Sequence, residues 1–234
     1  MAQEHHLTVS RTARYYTLGG NSPEQITDVW FVLHGYGQLA RYFIRRFDVL
    51  ALDHTLVVAP EGLSRLYLDA EYGKIGASWI TREDRDHEIA DYTAYLNTLY
   101  DTVLAQYHLT GKPLRVTLFG FSQGAATACR WLANRLGAGR GEAVVRLVLW
   151  AGFFPNGLAD VIDPVALASL ETLYIYGQAD EYIVQMPDPE AYIARLQADL
   201  PTLQVVPFDG KHVVEREVIK RLFGRGLPGA AEQD

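Results

Sequence analysis

The chain has 234 residues, 49% of them apolar, enough to bury a full core and better suited to one domain over 1–234 than to two. Its net charge of −7 and pI near 5.5 come from acids and bases interleaved along the sequence, which argues against a nucleic-acid footprint and a polybasic membrane patch. One cysteine, Cys129, allows no intramolecular disulfide, and no apolar stretch reads as a signal peptide or approaches the roughly 20 residues of a membrane span, so the expected setting is the cytoplasm, without stable membrane insertion.

Residues 1–20 contain LTVSRTARYYTLGG, where polar and apolar residues alternate before a Gly-Gly pair, the pattern of an antiparallel edge strand or hairpin. VWFVLHG (29–35) and TLVVAP (55–60) do not alternate and predict strands buried on both faces, hence a parallel sheet. Between them, Leu39, Tyr42, Phe43, Phe47 and Leu50 follow helical spacing. Residues 61–85 show neither period. A long helix is expected next, with Ile89, Tyr92, Leu96, Leu99, Val103 and Tyr107 on one face and Gly111 and Pro113 as stop signals.

LRVTLFG, VRLVLWAG, TLYIYG and LQVVPF continue the strands. The helical segments QGAATACRWLANRL, PEAYIARLQADL and VVEREVIKRLF alternate with them. Together they predict an α/β fold, a mostly parallel central sheet with helices on both faces. No insertion is large enough for a cap domain, and residues 224–234 are expected to form a frayed tail.

GFSQG matches G-x-S-x-G, a short pattern that its context makes informative. It follows the strand run RVTLF and opens a helical segment, the strand-turn-helix setting of a nucleophile elbow. Ser122 would be presented there, with Gly120 and Gly124 clearing space for the turn and the helix start aiming backbone N–H groups at developing negative charge. The bland alternative is a plain helix N-cap.

A serine hydroxyl needs a base. His212, between the last strand and the last helix, stands where the order serine, acid, histidine puts it. Asp180, in YIYGQADEYI, is the candidate acid, with Glu181 and Asp209 as rivals. An oxyanion hole needs two backbone donors. Gln123 follows the nucleophile, and Tyr36 lies in the glycine-containing loop LHGYGQ.

HGYGQ, PEG at Pro60, GFSQGAA, YGQADEYI and DGKHVV, taken together over Val29 to Phe223, resemble the α/β-hydrolase superfamily, most closely its serine carboxylesterase and acyl-protein thioesterase (phospholipase/carboxylesterase) group. The resemblance implies that fold and a Ser122–His212–Asp180 triad acting on a small-molecule ester or thioester through an acyl-enzyme. Amide or peptide hydrolysis by the same triad, and a non-catalytic receptor built on the fold, are the alternatives. Glu181 and Tyr182 stand where that group more often has a small or proline-containing turn.

No Walker loop, H-E-x-x-H or cysteine pair occurs, so neither cofactor nor metal is expected, and DRDHE around His87 reads as a solvated helix start. The segment 61–85 is too apolar for a plain linker. It is expected to fold over the active-site mouth, with Tyr67 and Trp79 as apolar wall for the acyl or leaving group. The competing reading packs Trp79 into the domain.

Overall fold

The unalternating apolar runs pair as strands in the computed structural model, which describes residues 1–141 and 143–224. The chain begins β1 (Tyr15–Gly19), β2 (Asp28–Leu33), α1 (Ala40–Phe43), β3 (Thr55–Pro60), β4 (Ser64–Tyr67), β5 (Ile75–Ser78) and α2 (Arg85–Gln106). It continues β6 (Arg115–Phe121), α3 (Gln123–Gly137), β7 (Val144–Trp150), β8 (Glu171–Gly177), α4 (Glu181–Val184), α5 (Pro189–Asp199), β9 (Gln204–Phe208) and α6 (Arg216–Phe223). Apart from Gly224, the expected tail lies outside the described residues. Among the described residues no helix is long and apolar enough to cross a membrane.

Seven strands form one sheet in the order β1-β3-β2-β6-β7-β8-β9. β1 is an antiparallel edge, and every other pair is parallel. Successive residues of a strand point to opposite faces, so β2 feeds two cores. Val29, Phe31 and Leu33 pack with buried residues of α2 and α3, including Leu96 and Trp131. Trp30 and Val32 pack on the other face with Phe43, Phe47, Ile219 and Phe223. The chain leaves β2 toward β3 on one side and returns as β6 on the other. That reversal of direction is the switch point at which open α/β sheets bind ligands.

Two segments depart from the sequence-based expectation. The helix expected over 39–50 is one α turn followed by a 3₁₀ turn, Ile44–Phe47. Ile44, Phe47 and Leu50, all buried, recur every third residue, which suits 3.0 residues per turn. Residues 61–85 are not without regular structure: β4 and β5 pair as an antiparallel hairpin, with Ser64 opposite Ser78 and Tyr67 opposite Ile75. Its connection is closed by the Asp69 carboxylate, which accepts the Gly73 and Lys74 N–H groups at 2.8 and 3.0 Å.

The hairpin also corrects the expectation for Trp79, which is 3% exposed and belongs to the α2/α3 core. Its indole N–H donates to the His34 carbonyl at 2.8 Å, and its ring meets Tyr92 edge-on. Trp79→Ala is therefore expected to cost about 3–5 kcal/mol of stability, measured by urea unfolding. A variant with unchanged stability would contradict this core placement.

Candidate active site

The end of β6 carries Ser122 into a turn with φ +52° and ψ −117°, a backbone region that L-residues rarely occupy. Its N–H donates to the Trp150 carbonyl at 2.8 Å, extending the β6–β7 ladder by one bond. A Cβ on Gly124 would collide with the Leu33 and His34 carbonyls, and one on Gly120 with the Gly124 carbonyl. Glycine at these two positions lets α3 start hard against β6 and the end of β2. The turn projects Oγ to 2.9 Å from His212 Nε2, while His212 Nδ1 lies 2.7 Å from Asp180 Oδ2.

Asp180 is 1% exposed and uses both carboxylate oxygens. Oδ1 accepts the Tyr182 N–H at 2.9 Å and caps α4. Oδ2 meets His212. The rivals Glu181 and Asp209 are exposed. His212 rides on a loop fastened from two sides: Ala179 N–H donates to the Gly210 carbonyl at 2.9 Å, and the Trp150 indole N–H to the Val213 carbonyl at 3.0 Å. Phe121 and Tyr182 flank the imidazole at 4.9 and 4.7 Å between ring centroids.

On the opposite side of Ser122 lies the loop after β2. A Cβ on Gly35 would stand 3.2 Å from that of Ser122, so the loop lies directly against Ser122. Gly35 N–H donates to the Gln38 side chain, Gly37 N–H to the Ala77 carbonyl and Gln38 N–H to the Gly35 carbonyl. Among the described residues, the Tyr36 N–H has no such acceptor within the protein. The Gln123 side chain is committed elsewhere: its carbonyl oxygen accepts the Trp79 N–H at 2.9 Å and its amide donates to the Ile80 carbonyl at 2.7 Å. Its backbone N–H, like that of Tyr36, has no protein acceptor among the described residues.

A cavity of about 170 Å³ opens beside Ser122, His212 and Asp180, lined by Ala151, Gly152, Phe153, Tyr174, Tyr182, Ile183 and Met186. The expected wall residues are absent from it. Trp79 is core, and Tyr67 is 56% exposed on β4 with its ring against Tyr72. The apolar wall comes instead from the segment after β7 and from α4, on the far side of the serine from the hairpin.

A family model described as serine hydrolase (FSH1) matches residues 30–217, most of the chain and all three residues of the hydrogen-bonded set. The chain belongs to the serine hydrolase (FSH1) family. No curated protein matches it. Among solved structures it is similar to Zea mays acyl-protein thioesterase 2, at 17% identity and TM-score 0.65, over 90% of this chain and 96% of that one. The carboxylesterase from Mesorhizobium loti is similar at 20% identity and TM-score 0.63, over 90% and 93%. The Bacillus cereus carboxylesterase is similar at 15% and 0.59, over 90% and 91%. At such identities these likenesses establish the α/β-hydrolase fold.

In this serine hydrolase, two buried polar groups that sequence reasoning missed hold the β2 loop. His34, fully buried, accepts the Gly62 N–H on Nε2 at 3.0 Å, which leaves Nδ1–H to donate to the Gly35 carbonyl at 2.8 Å. Glu61 is also buried. It accepts the Ala40 N–H at 3.2 Å and pairs with Arg14 and with Arg65, the latter at 2.8 Å. Burial opposes its ionisation, but the hydrogen bonds and charges of Arg65 and Arg14 outweigh this and hold the carboxyl below its usual range. The signal for His34 was a histidine ending a buried strand directly before a glycine loop.

Ligand-type atoms of His6, Asp84 and His87 lie within 4.8 Å of one another, all on exposed residues. His87 Nδ1 is 2.6 Å from Asp84 Oδ1 at the start of α2. That hydrogen bond holds the Asp84 carboxyl below, and the His87 imidazole above, the ordinary values.

Burial lowers the His34 pKa from 6.5 to about 4, against the raising effects of the Gly35 bond and Glu61. Above pH 6.5 the imidazole is neutral in folded and unfolded chains alike. Between pH 6.5 and about 4 only the unfolded chain takes up the proton, so stability falls with pH across that window by about 3 kcal/mol. Urea unfolding from pH 7.5 to 4 should show this loss. His34→Gln should be less stable at neutral pH and lack that component of the slope, and an unchanged slope would remove His34 as its source.

Proposed function

We propose that this serine hydrolase cleaves carboxylic esters or thioesters through an acyl-enzyme on Ser122. The observation that carries the proposal is the continuous hydrogen-bonded set Ser122 Oγ, His212 and Asp180, at 2.9 and 2.7 Å. With Nδ1–H donated to Asp180, His212 presents Nε2 as an acceptor and takes the hydroxyl proton as Oγ attacks the carbonyl carbon. The Tyr36 and Gln123 N–H groups receive the oxyanion. His212 returns the proton to the departing alcohol or thiol, and water then repeats the sequence to release the acid.

Solved structures that share the fold and are named acyl-protein thioesterase and carboxylesterase support this choice of substrate class. The reading puts the enzyme in the cytoplasm, in keeping with its one cysteine. Cys129 is buried, and burial pushes its thiol up to about 12, which leaves Ser122 as the nucleophile.

Ser122→Ala is expected to lower kcat/KM on p-nitrophenyl acetate by ~10³ or more, with its unfolding curve unchanged. Near wild-type turnover in the folded variant would refute the mechanism. Asp180→Asn should slow the same reaction at least ~100-fold more than Glu181→Gln, because only Asp180 touches the imidazole. The reverse order would transfer the acid's role to Glu181.

A further inference from the structure

We propose that the cavity beside Ser122 holds the acyl group, and that it selects an uncharged chain of about six carbons or a single ring, with Met186 setting the length limit. The inference rests on the ester and thioester reading above and assigns that site its substrate class.

Size comes first. The cavity measures about 170 Å³, and a dry apolar cavity of roughly 150 Å³ binds benzene. A six-carbon chain or one ring fills it, and a longer chain must displace part of the wall or leave its end in water.

Lining decides the chemistry. Apart from the triad, Gly152, Phe153, Tyr174, Tyr182, Ile183 and Met186 offer aromatic and aliphatic surface. None of the residues lining the cavity is Lys or Arg, and the one carboxylate, Asp180, has both oxygens engaged. A carboxylate on the acyl chain would lose its hydration there and find no cation.

One wall is fixed. The Gly152 carbonyl accepts the hydroxyls of Tyr174 and Tyr192 at 3.0 and 3.1 Å, and the Tyr192 hydroxyl accepts the Phe154 N–H at 3.0 Å. Ala151, at φ +50°, donates its N–H to the Ile175 carbonyl at 2.7 Å. Met186, just past α4, also lines the cavity, with an unbranched thioether that adapts to what lies against it. Length selection falls to that side chain because hydrogen bonds hold the Gly152 backbone in place.

The two chemical steps decide which half of the substrate sits here. The acyl group stays bound through both, while the leaving group must depart and water must take its place beside His212. A concave, mostly apolar cavity beside the serine suits the group that stays. On the hairpin side, Tyr36, Tyr67 and Leu68 are exposed, a surface across which the departing group can leave.

The test is kcat/KM over p-nitrophenyl esters from acetate to decanoate, beside acetate esters of alcohols from methanol to octanol, for wild type, Met186→Ala and Met186→Phe. Wild-type kcat/KM should rise about fourfold per methylene to about six carbons and fall beyond. Met186→Ala should move the maximum about two carbons longer and Met186→Phe move it shorter, with the alcohol ranking unchanged. A monosuccinyl ester should be at least about tenfold poorer than its butanoyl counterpart. An acyl profile that neither variant moves, or variant effects that fall on the alcohol series instead, would overturn the assignment while leaving the esterase reading intact. A wild-type enzyme that turns over none of these esters would overturn both.

Discussion

Ser122 holds a backbone conformation, φ +52° and ψ −117°, that costs on the order of 1–3 kcal/mol and persists only where its surroundings enforce it. Three features do so. The Ser122 N–H is tied to Trp150, α3 begins at the next residue, and Gly124 lies against the last carbonyls of β2. The same contacts place Oγ beside the His212 ring and bring the loop after β2 against the serine. A relaxed turn would lose both neighbours at once.

The two sides of the serine are built by different means. On the β2 side, neutral and ionic hydrogen bonds knit separate segments together. His34 joins Gly35 to Gly62, Glu61 joins Ala40 to Arg14 and Arg65, and Gln123 joins α3 to residues 79 and 80. Such a network is firm only while every buried member is satisfied, and fixed donors are what stabilisation of a developing oxyanion requires. On the β7–β9 side, aromatic packing around Trp150 and the bonds from its indole and from Ala179 hold the loop of His212. Apolar burial there also walls the cavity.

Much of this was legible in the sequence. Runs such as TLVVAP and VRLVLW could only be strands covered on both faces, and the sheet follows from them. Ser122, Asp180 and His212 could be singled out because each sits just past a strand, in a chain order that the fold constrains. The hairpin could not be read, because four residues per strand, one of them Gly76, are too few to establish a period. Trp79 was misplaced for a related reason: with no period to orient it, an indole in an apolar loop looks the same whether it faces a substrate or the core. His34 and Glu61 also need partners that no local pattern reveals, Gly62 at 28 residues from His34 and Arg14 at 47 from Glu61. The cavity wall is likewise assembled from separate segments and has no motif of its own.

The central claim is that Ser122, activated by His212, forms a covalent bond with an acyl-type electrophile. A fluorophosphonate reports on this directly, since it traps an activated serine without needing the right substrate. Incubation with such a probe, followed by peptide mapping in a mass spectrometer, should place a single adduct on the peptide containing Ser122. His212→Ala should abolish that labelling while leaving the fold intact. An adduct on another residue, or labelling of Ser122 that survives loss of His212, would contradict the account.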